Sequence, residues 1–421
     1  MSENQNTKKL GYFSIATMYI AYCCSCTSIP NGGIIGEGST FGTGLASILL
    51  GWLIGSIIVA GTTMSTYKTN TFKDIIWSNI FGKHGSRITS AMMAFCMSFW
   101  ACFDFFNGGQ SLYNLMPEGS MAKNLGFCIC IILLVAVTIY GGVKGTSGVK
   151  IISNLTVPVA VILFVIIYIA SVNAAGGMDA LMAYQPAEST VTVIGGAQIM
   201  VGMWMGGFCG IMDLAPGAKN GKVVIIASIC GVGFIMLCFL VGQVGFIATD
   251  LKTLGDICMS LGGGIFWVGN IFVIIAQGNT TPACNLMYSN SWQNAFRTKT
   301  RTPFAIVVPI IAAVLAFIIM YGAGVDFINV ITDTVSTVMA PLVGVTLASF
   351  WIVEKRDPVI KQVEELPGWK IPGIVSLAAG VCLSLIFRFV TVTGSAFIVV
   401  IVTGLLYACW MKAIGKRAHE L

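Results

Sequence analysis

Long apolar stretches alternate with short polar segments along almost the whole chain, from residue 10 to residue 412. A helix of about 20 apolar residues crosses the hydrocarbon core of a lipid bilayer, and somewhat shorter or longer helices also span it. The pattern predicts spans at 10–37, 41–66, 88–116, 124–140, 151–172, 191–214, 222–247, 264–293, 303–321, 325–351, 373–391 and 395–412. We therefore predict an all-α, polytopic membrane protein with 12 transmembrane helices.

Glycine and proline interrupt the first and sixth spans. The first span contains SIPNGGIIGEG (28–38) and the sixth contains GGFCGIMDLAPG (206–217). Because the two spans are five apart, they cross the bilayer in opposite directions, as the discontinuous helices of a 5+5 inverted repeat do. Close helix packing by small residues is the alternative explanation for each break. Broken helices would leave free carbonyl groups for a cation and free amide groups for a ligand near the bilayer midplane.

The inverted repeat divides the chain into five parts. They are a cytoplasmic tail (1–9), a first five-helix repeat (10–172), a second, inverted repeat (191–351), two additional helices (373–412) and a second cytoplasmic tail (413–421).

Composition and charge support a membrane protein. Only 10% of the residues are charged and 56% are hydrophobic, which leaves too little polar surface to cover a soluble globule of this size. With the N-terminus inside, 20 of the 23 Lys and Arg residues lie on the cytoplasmic side. We therefore expect both termini in the cytoplasm, the lipid bilayer of the plasma (inner) membrane as a partner, and no nucleic acid. The scattered cysteines are interpreted as reduced core residues.

Acidic residues inside spans are costly, so they indicate either function or an internal partner. Four are predicted there: Glu37, Asp104, Asp213 and Asp333. Glu37 and Asp213 are expected to cap a helix or to pair with a base, Asp213 near Lys219 and Lys222. Asp333 is expected to serve as a gate or to bond neighbouring helices.

The third span carries the most distinctive polar face. Trp100, Phe103, Asp104 and Asn107 follow helical spacing and share one side of the helix. An indole beside a carboxylate suits a flat heteroaromatic ligand that bears N–H donors, and it suits an organic cation equally well. The alternative is a structural Asp104 that bonds a neighbouring helix.

The eighth span is unusually polar. Gln277, Thr280 and Thr281 can bring one carbonyl and two hydroxyl groups to one point. Sodium, like other hard cations, prefers such oxygen ligands. The alternative is that both threonines bond back to their own helix, which Pro282 kinks.

Signals for an enzyme are weak. The segment GGVKGTSG (141–148) lacks the spacing of a phosphate-binding loop, and His84 and His419 stand far from any cysteine or carboxylate cluster. We therefore expect a protein that is not an enzyme.

Five segments in order resemble the nucleobase:cation symporter family, and most closely its bacterial cytosine and purine permeases. They are GGIIGEG, FGKHGS followed by Trp100, GGMDAL, VGMWMGGFCGIMD and the TT pair at 280–281. The likeness covers nearly the whole chain. It implies the leucine-transporter-like fold of five plus five inverted helices.

The resemblance also implies roles for individual residues. Trp100 and Trp204 match the aromatic residues that hold a planar base, and Gln277 matches a polar amide that binds it. The candidate substrate-binding residues are Trp100, Phe103, Asp104, Trp204, Met203, Asn31, Gln277 and Asn279. The candidate cation ligands are Ser25, Ser28, Gln277, Thr280 and Thr281.

Two positions depart from the family pattern. Met97 and Asp104 stand where related members have glutamine, one turn before or one turn after the tryptophan. A carboxylate accepts hydrogen bonds but donates none unless it is protonated. The preferred ligand should therefore present two adjacent N–H donors.

Together these features predict a monomeric secondary active symporter. It would import cytosine, a purine or a related aminopyrimidine by alternating access, with Na⁺ as the coupling ion. Two alternatives remain open: import of an organic amine or quaternary cation on the same fold, and coupling to H⁺ through Asp104. A channel or a nontransporting receptor is disfavoured, because the sequence shows neither a continuous polar lining nor a soluble sensing domain.

Overall fold

The computed structural model describes residues 9–323, 326–390 and 393–415, without the side chains of residues 322–336. Sixteen α-helices make up most of this part of the chain. In order they are α1 (Tyr12–Cys23), α2 (Ile29–Gly38), α3 (Phe41–Thr69), α4 (Lys73–Leu115), α5 (Ser120–Lys144), α6 (Thr146–Ala174), α7 (Met178–Ala183), α8 (Val193–Met203), α9 (Met205–Gly210), α10 (Gly221–Thr249), α11 (Leu254–Leu261), α12 (Gly263–Phe296), α13 (Thr302–Ile318), α14 (Asp326–Ala348), α15 (Ile371–Val390) and α16 (Ser395–Ile414).

Each predicted span corresponds to one of these helices or to a bent pair of them. Eight helices are long and apolar enough to cross a bilayer, and two bent pairs pass the same test. The pairs are α1 with α2, bent by 53°, and α8 with α9, bent by 51°. Helices α12 and α14 occupy the eighth and tenth predicted spans. The predicted all-α membrane architecture, with discontinuous first and sixth spans, is confirmed.

The first break lies earlier than the sequence suggested. Helix α1 ends at Cys23 and Ser25 has extended backbone angles, whereas the Pro-Gly-Gly segment lies inside α2. Pro30 fits there because the first turn of a helix needs no bonded N–H group. A Cβ atom at Gly32 would lie 2.1 Å from the carbonyl oxygen of Phe239 in α10. Gly32 therefore serves close helix packing, and the break itself contains no glycine or proline.

The sixth span shows the same shift. Trp204 separates α8 from α9, and the predicted glycines follow it inside α9. Pro216 lies beyond the 3-10 turn Ile211–Leu214, at the end of the span. A Cβ atom at Gly207 would lie 2.5 Å from the Trp204 ring. Gly207 therefore makes room for the indole of Trp204.

Helices α4 and α12 pack against each other and form the centre of the bundle. Helix α4 starts at Lys73, well before the predicted span, and it kinks at Gly82, whose φ angle is +83°. Backbone amides at positions 83 and 84 donate to the carbonyl groups of Pro367 and Gly368. The loop before α15 is thereby fastened to the beginning of α4.

The acidic residues of the spans have different partners. Glu37 pairs with Lys252 at 2.6 Å on an exposed surface, as expected for a residue near a helix end. Asp213 is fully buried and pairs with Lys73 at 2.6 Å. Lys219 and Lys222, the expected basic neighbours, are therefore not its partners. The start of α4 packs against the end of the sixth span and places Lys73 beside Asp213. The side chain of Asp333 lies outside the described ones.

The fourteen cysteines are all unpaired, and most of them are buried. Ten of them are core side chains, whereas Cys128 and Cys230 are half-buried and Cys382 and Cys409 are exposed.

Candidate substrate and cation site

A cavity lies where the two breaks meet α4 and α12. Both broken spans, the third span and the eighth span contribute to it. Its lining consists of Tyr22, Ser25, Thr27, Met97, Trp100, Asp104, Met203, Trp204, Gly207, Thr280 and Cys284. The cavity therefore joins the predicted ring-binding residues to one of the predicted cation ligands.

Two indoles face this cavity, and Trp204 is the more tightly held. Its Nε1–H donates to Ser28 Oγ at 2.9 Å, and its ring meets Tyr22 edge to face at 5.8 Å between centroids. Trp100 is half-buried and packs on Phe103 at 5.9 Å. The third and sixth spans thus each contribute one indole to the lining of the same cavity.

Asp104 lies one turn after Trp100 and is 1% exposed. Among the described residues its hydrogen-bond donor is Ser25 Oγ at 3.5 Å, and no Lys, Arg or His lies within 4.0 Å of it. Ser25 makes a much shorter contact, 2.6 Å, with Thr27 Oγ1. The carboxylate therefore keeps most of its acceptor capacity free within the cavity.

A group of neutral oxygen atoms surrounds Thr280. The Thr280 hydroxyl lies 3.1 Å from the carbonyl oxygens of both Ala21 and Cys24. These carbonyls lie at the end of α1, where the Cys24 amide still bonds the Ala21 carbonyl at 3.3 Å and the regular helical hydrogen bonds stop. Two carbonyls and a hydroxyl are hard ligands of the kind that Na⁺ prefers. The chemistry of these donors therefore fits a sodium ion at the first break.

Thr281 and Gln277 lie beside this group. Thr281 Oγ1 donates to the Gln277 carbonyl at 2.9 Å and accepts from Thr138 Oγ1 at 2.7 Å. The alternative of a back-bonded threonine thus applies to Thr281, and Thr280 bonds back to Ala276 as well. The side-chain amide of Gln277 is buried, and neither of its polar atoms has a partner in the described part of the chain.

The remaining predicted residues lie at the edge of the cavity or behind it. Asn31 and Met203 are brought together at the cavity edge, where Asn31 Nδ2 lies 3.1 Å from Met203 Sδ. Phe103 lies behind Trp100, and Asn279 accepts from Thr156 Oγ1 of α6. Ser28 was predicted as a cation ligand, but its hydroxyl accepts a hydrogen bond from Trp204. The oxygens beside Thr280 are backbone carbonyls instead.

Sequence reasoning predicted free carbonyl groups at the first break but could not assign them to Ala21 and Cys24, because every residue has a carbonyl group. It missed Tyr22. A Cβ atom at Gly207 or Gly210 would lie 3.1 Å or 3.0 Å from the Tyr22 hydroxyl oxygen, and no pattern in the sequence indicates this approach.

Comparisons with known proteins agree with this geometry. No protein-family model matches the chain. A cytosine permease of Escherichia coli (strain K12) is 23% identical over 292 residues, which are 68% of this chain. The matched region spans 63% of the length of that permease.

Solved structures share the fold over nearly the whole chain. Mhp1, a nucleobase-cation-symport-1 family transporter, in a closed conformation with bromovinylhydantoin bound, superposes with a TM-score of 0.80 at 18% identity, covering 97% of this chain and 93% of Mhp1. The expected likeness to nucleobase:cation symporters is confirmed. A Na⁺-coupled sialic acid symporter has a TM-score of 0.65 at 12% identity, covering 96% of this chain and 88% of its own.

These relatives and neighbours are transporters, not enzymes. The fold that the chain shares with nucleobase:cation symporters is the leucine-transporter-like one. It places the breaks of the first and sixth spans beside each other at the cavity.

Proposed function

We propose that the chain is a secondary active transporter that imports a planar, nitrogenous, nucleobase-like compound together with Na⁺. One observation carries the proposal. The first break presents two carbonyl groups to Thr280 on one side and Ser28 to Trp204 on the other. A cation and an aromatic ligand would therefore contact the same few residues of one broken helix.

The ring would stack between Trp100 and Trp204. Stacking of a base on an aromatic side chain is worth about 1–3 kcal/mol per base in other nucleobase sites. Asp104 would accept N–H groups from one edge of the ring. The unpaired amide of Gln277 lies one turn from Thr280 but outside the lining of the cavity, so a contact of Gln277 with the cargo would need a rearrangement of its side chain. The similarity to the cytosine permease and to Mhp1 supports this class of cargo.

Sodium would be held by the carbonyl oxygens of Ala21 and Cys24 and by the Thr280 hydroxyl. This contact would join α1 to α12 and so fix the geometry of the first break. Because Ser28 lies in the next turn and holds Trp204, sodium and cargo would strengthen each other's binding by the same factor. The Na⁺-coupled neighbour supports a coupling cation of this kind.

Alternating access also needs a closure at one end of the bundle. The start of α4, the end of the sixth span and α12 meet at Lys73, which contacts Asp213, Asp74 and the Met287 carbonyl. This end carries most of the basic residues and is expected to be cytoplasmic. We propose that this buried cluster closes the cytoplasmic side of the transport pathway. The transporter would act as a monomer in the plasma membrane.

The experiment is uptake of radiolabelled cytosine and adenine into proteoliposomes. An inward sodium gradient should accelerate uptake several-fold over an equal potassium gradient. Thr280→Val keeps the size of the side chain but removes its hydroxyl, so it should abolish the acceleration. Thr403→Val is the matched control, because Thr403 is buried in α16, does not line the cavity and has no hydrogen-bond partner among the described residues, so this variant should preserve the acceleration. Equal rates with either ion in the unmodified protein would contradict sodium coupling.

A further inference from the structure

The chemistry of the cargo can be narrowed from the surroundings of Asp104. This step rests on the proposed function, because it concerns the same cavity. Asp104 is 1% exposed and lies within the third span. An ionised carboxylate buried without a cation or a full set of donors costs several kcal/mol, roughly. The group must therefore either take up a proton or be completed by a positive charge that the described side chains around it do not supply.

The described side chains around Asp104 bring no positive charge. The hydroxyl of Ser25 reaches it only at 3.5 Å. The titratable groups that lie close to it include the buried thiols of Cys24, Cys26 and Cys284. Thiols are neutral or negative and cannot compensate a carboxylate.

The aromatic neighbours favour a cation in the same place. Trp100 and Trp204 both line the cavity with Asp104, and the faces of indole rings attract positive charge. Trp204 is also fixed through its bond to Ser28, so its face is held ready for a ligand. A planar cation would satisfy the ring faces and the carboxylate together, whereas a neutral base would satisfy only the rings fully.

A sodium ion at the proposed site would not supply the positive charge that Asp104 lacks. Its oxygens are the neutral carbonyls of Ala21 and Cys24 and the hydroxyl of Thr280. These atoms can hold a sodium ion without the carboxylate. Asp104 is therefore left for the cargo.

We propose that the cargo is a planar heteroaromatic cation, with an amidinium-like edge whose N–H groups bind Asp104. The ring lies between the two indoles and the charge lies at the carboxylate. Protonated aminopyrimidines and amino-substituted pyridinium compounds belong to this class. Neutral bases of the same shape bind more weakly.

The test compares ligands of equal shape and different charge. The first pair is 4-amino-1-methylpyridinium, whose charge is permanent, and its neutral counterpart 4-methylaniline. The second pair is 2,4-diaminopyrimidine, which is partly protonated near neutral pH, and cytosine, which is neutral there. Calorimetric titration of the purified protein in sodium buffer should give the charged member about 10- to 100-fold tighter binding, the range of a charge-assisted hydrogen bond.

Asp104→Asn removes the charge and keeps the size of the side chain. It should reduce the ratio of affinities within each pair to about one, while cytosine binding shows that the variant is folded. Asp250→Asn is the matched control, because Asp250 is exposed at the end of α10 and asparagine tolerates its positive φ angle of 60°. The control should retain the ratio of the unmodified protein.

Three results would overturn the proposal. Equal affinities within both pairs in the unmodified protein would do so without any variant. Tighter binding of the neutral ligands at lower pH, with no preference for cations, would show that Asp104 takes a proton instead. Loss of sodium dependence in Asp104→Asn with an unchanged ratio would make Asp104 a sodium ligand.

Failure of the proposed function has a different signature. In that case none of the four ligands would bind, whatever its charge.

Discussion

Two buried carboxylates in the same bundle have opposite surroundings. Asp213 is 0% exposed and receives Lys73 Nζ at 2.6 Å, the Lys73 backbone amide at 2.9 Å and Asn290 Nδ2 at 3.2 Å. Asp104 is 1% exposed and receives one hydroxyl at 3.5 Å. The protein compensates the first charge completely and leaves the second to a ligand.

This difference distinguishes a carboxylate that stabilises the fold, Asp213, from one that is available to a ligand, Asp104. Lys73 and Asp213 connect three helical segments. Asp74 joins the cluster through Lys73 Nζ at 3.3 Å and accepts hydrogen bonds from the hydroxyls of Ser90 and Ser291. Such a network is satisfied by the fold alone. Asp104 lines a cavity together with two indoles.

The largest effect is expected when the compensated carboxylate loses its partner. Lys73→Met leaves Asp74 and Asp213 buried together without a cation, so the free energy of unfolding should fall by about 3–5 kcal/mol. Chemical unfolding in detergent measures this loss. Lys252→Met is the matched control, because its pair with Glu37 is exposed, and its cost should stay below about 1 kcal/mol. Similar costs for the two variants would contradict the contrast.

An intermediate effect is expected at the indole beside the uncompensated carboxylate. Trp204→Phe removes the N–H group that donates to Ser28 Oγ, and it removes part of the stacking surface. The Ser28 hydroxyl then lacks its partner, which should lower the free energy of unfolding by about 1–3 kcal/mol. The free energy of cargo binding should weaken by about the same amount, and titration with 2,4-diaminopyrimidine measures it. Trp267→Phe, at an exposed indole in α12, should leave the affinity unchanged.

The smallest effect on stability is expected at Asp104 itself. Asp104→Asn removes a carboxylate that has almost no partner in the protein, so the free energy of unfolding should change by less than about 1 kcal/mol or rise. The same unfolding experiment, without ligand, measures it. A loss as large as that of Lys73→Met would show that Asp104 has a structural partner, and the contrast between the two carboxylates would disappear.

Much of the fold follows from hydropathy alone. Each of the twelve predicted spans falls on a helix or a bent pair, and ten of these are long and apolar enough to cross a bilayer. The breaks could be assigned to the correct spans but not to the correct residues. Glycine and proline suggested positions inside α2 and α9, whereas the chain unwinds at Ser25 and Trp204.

The site was predictable where side chains determine it. Trp100, Asp104, Trp204 and Thr280 were identified from spacing or resemblance, and they line one cavity. The Lys73–Asp213 pair joins residues 140 positions apart, which no local pattern indicates. The roles assigned to the predicted residues stay predictions until binding and transport are measured.

The most direct test of the account is the mutual dependence of sodium and cargo binding. The affinity for 2,4-diaminopyrimidine should be titrated at several sodium concentrations, and the affinity for sodium should be titrated with and without that ligand. We predict that each ligand raises the affinity for the other by the same factor, and that Thr280→Val removes this coupling. Cargo affinity that is independent of sodium in the unmodified protein would contradict the account.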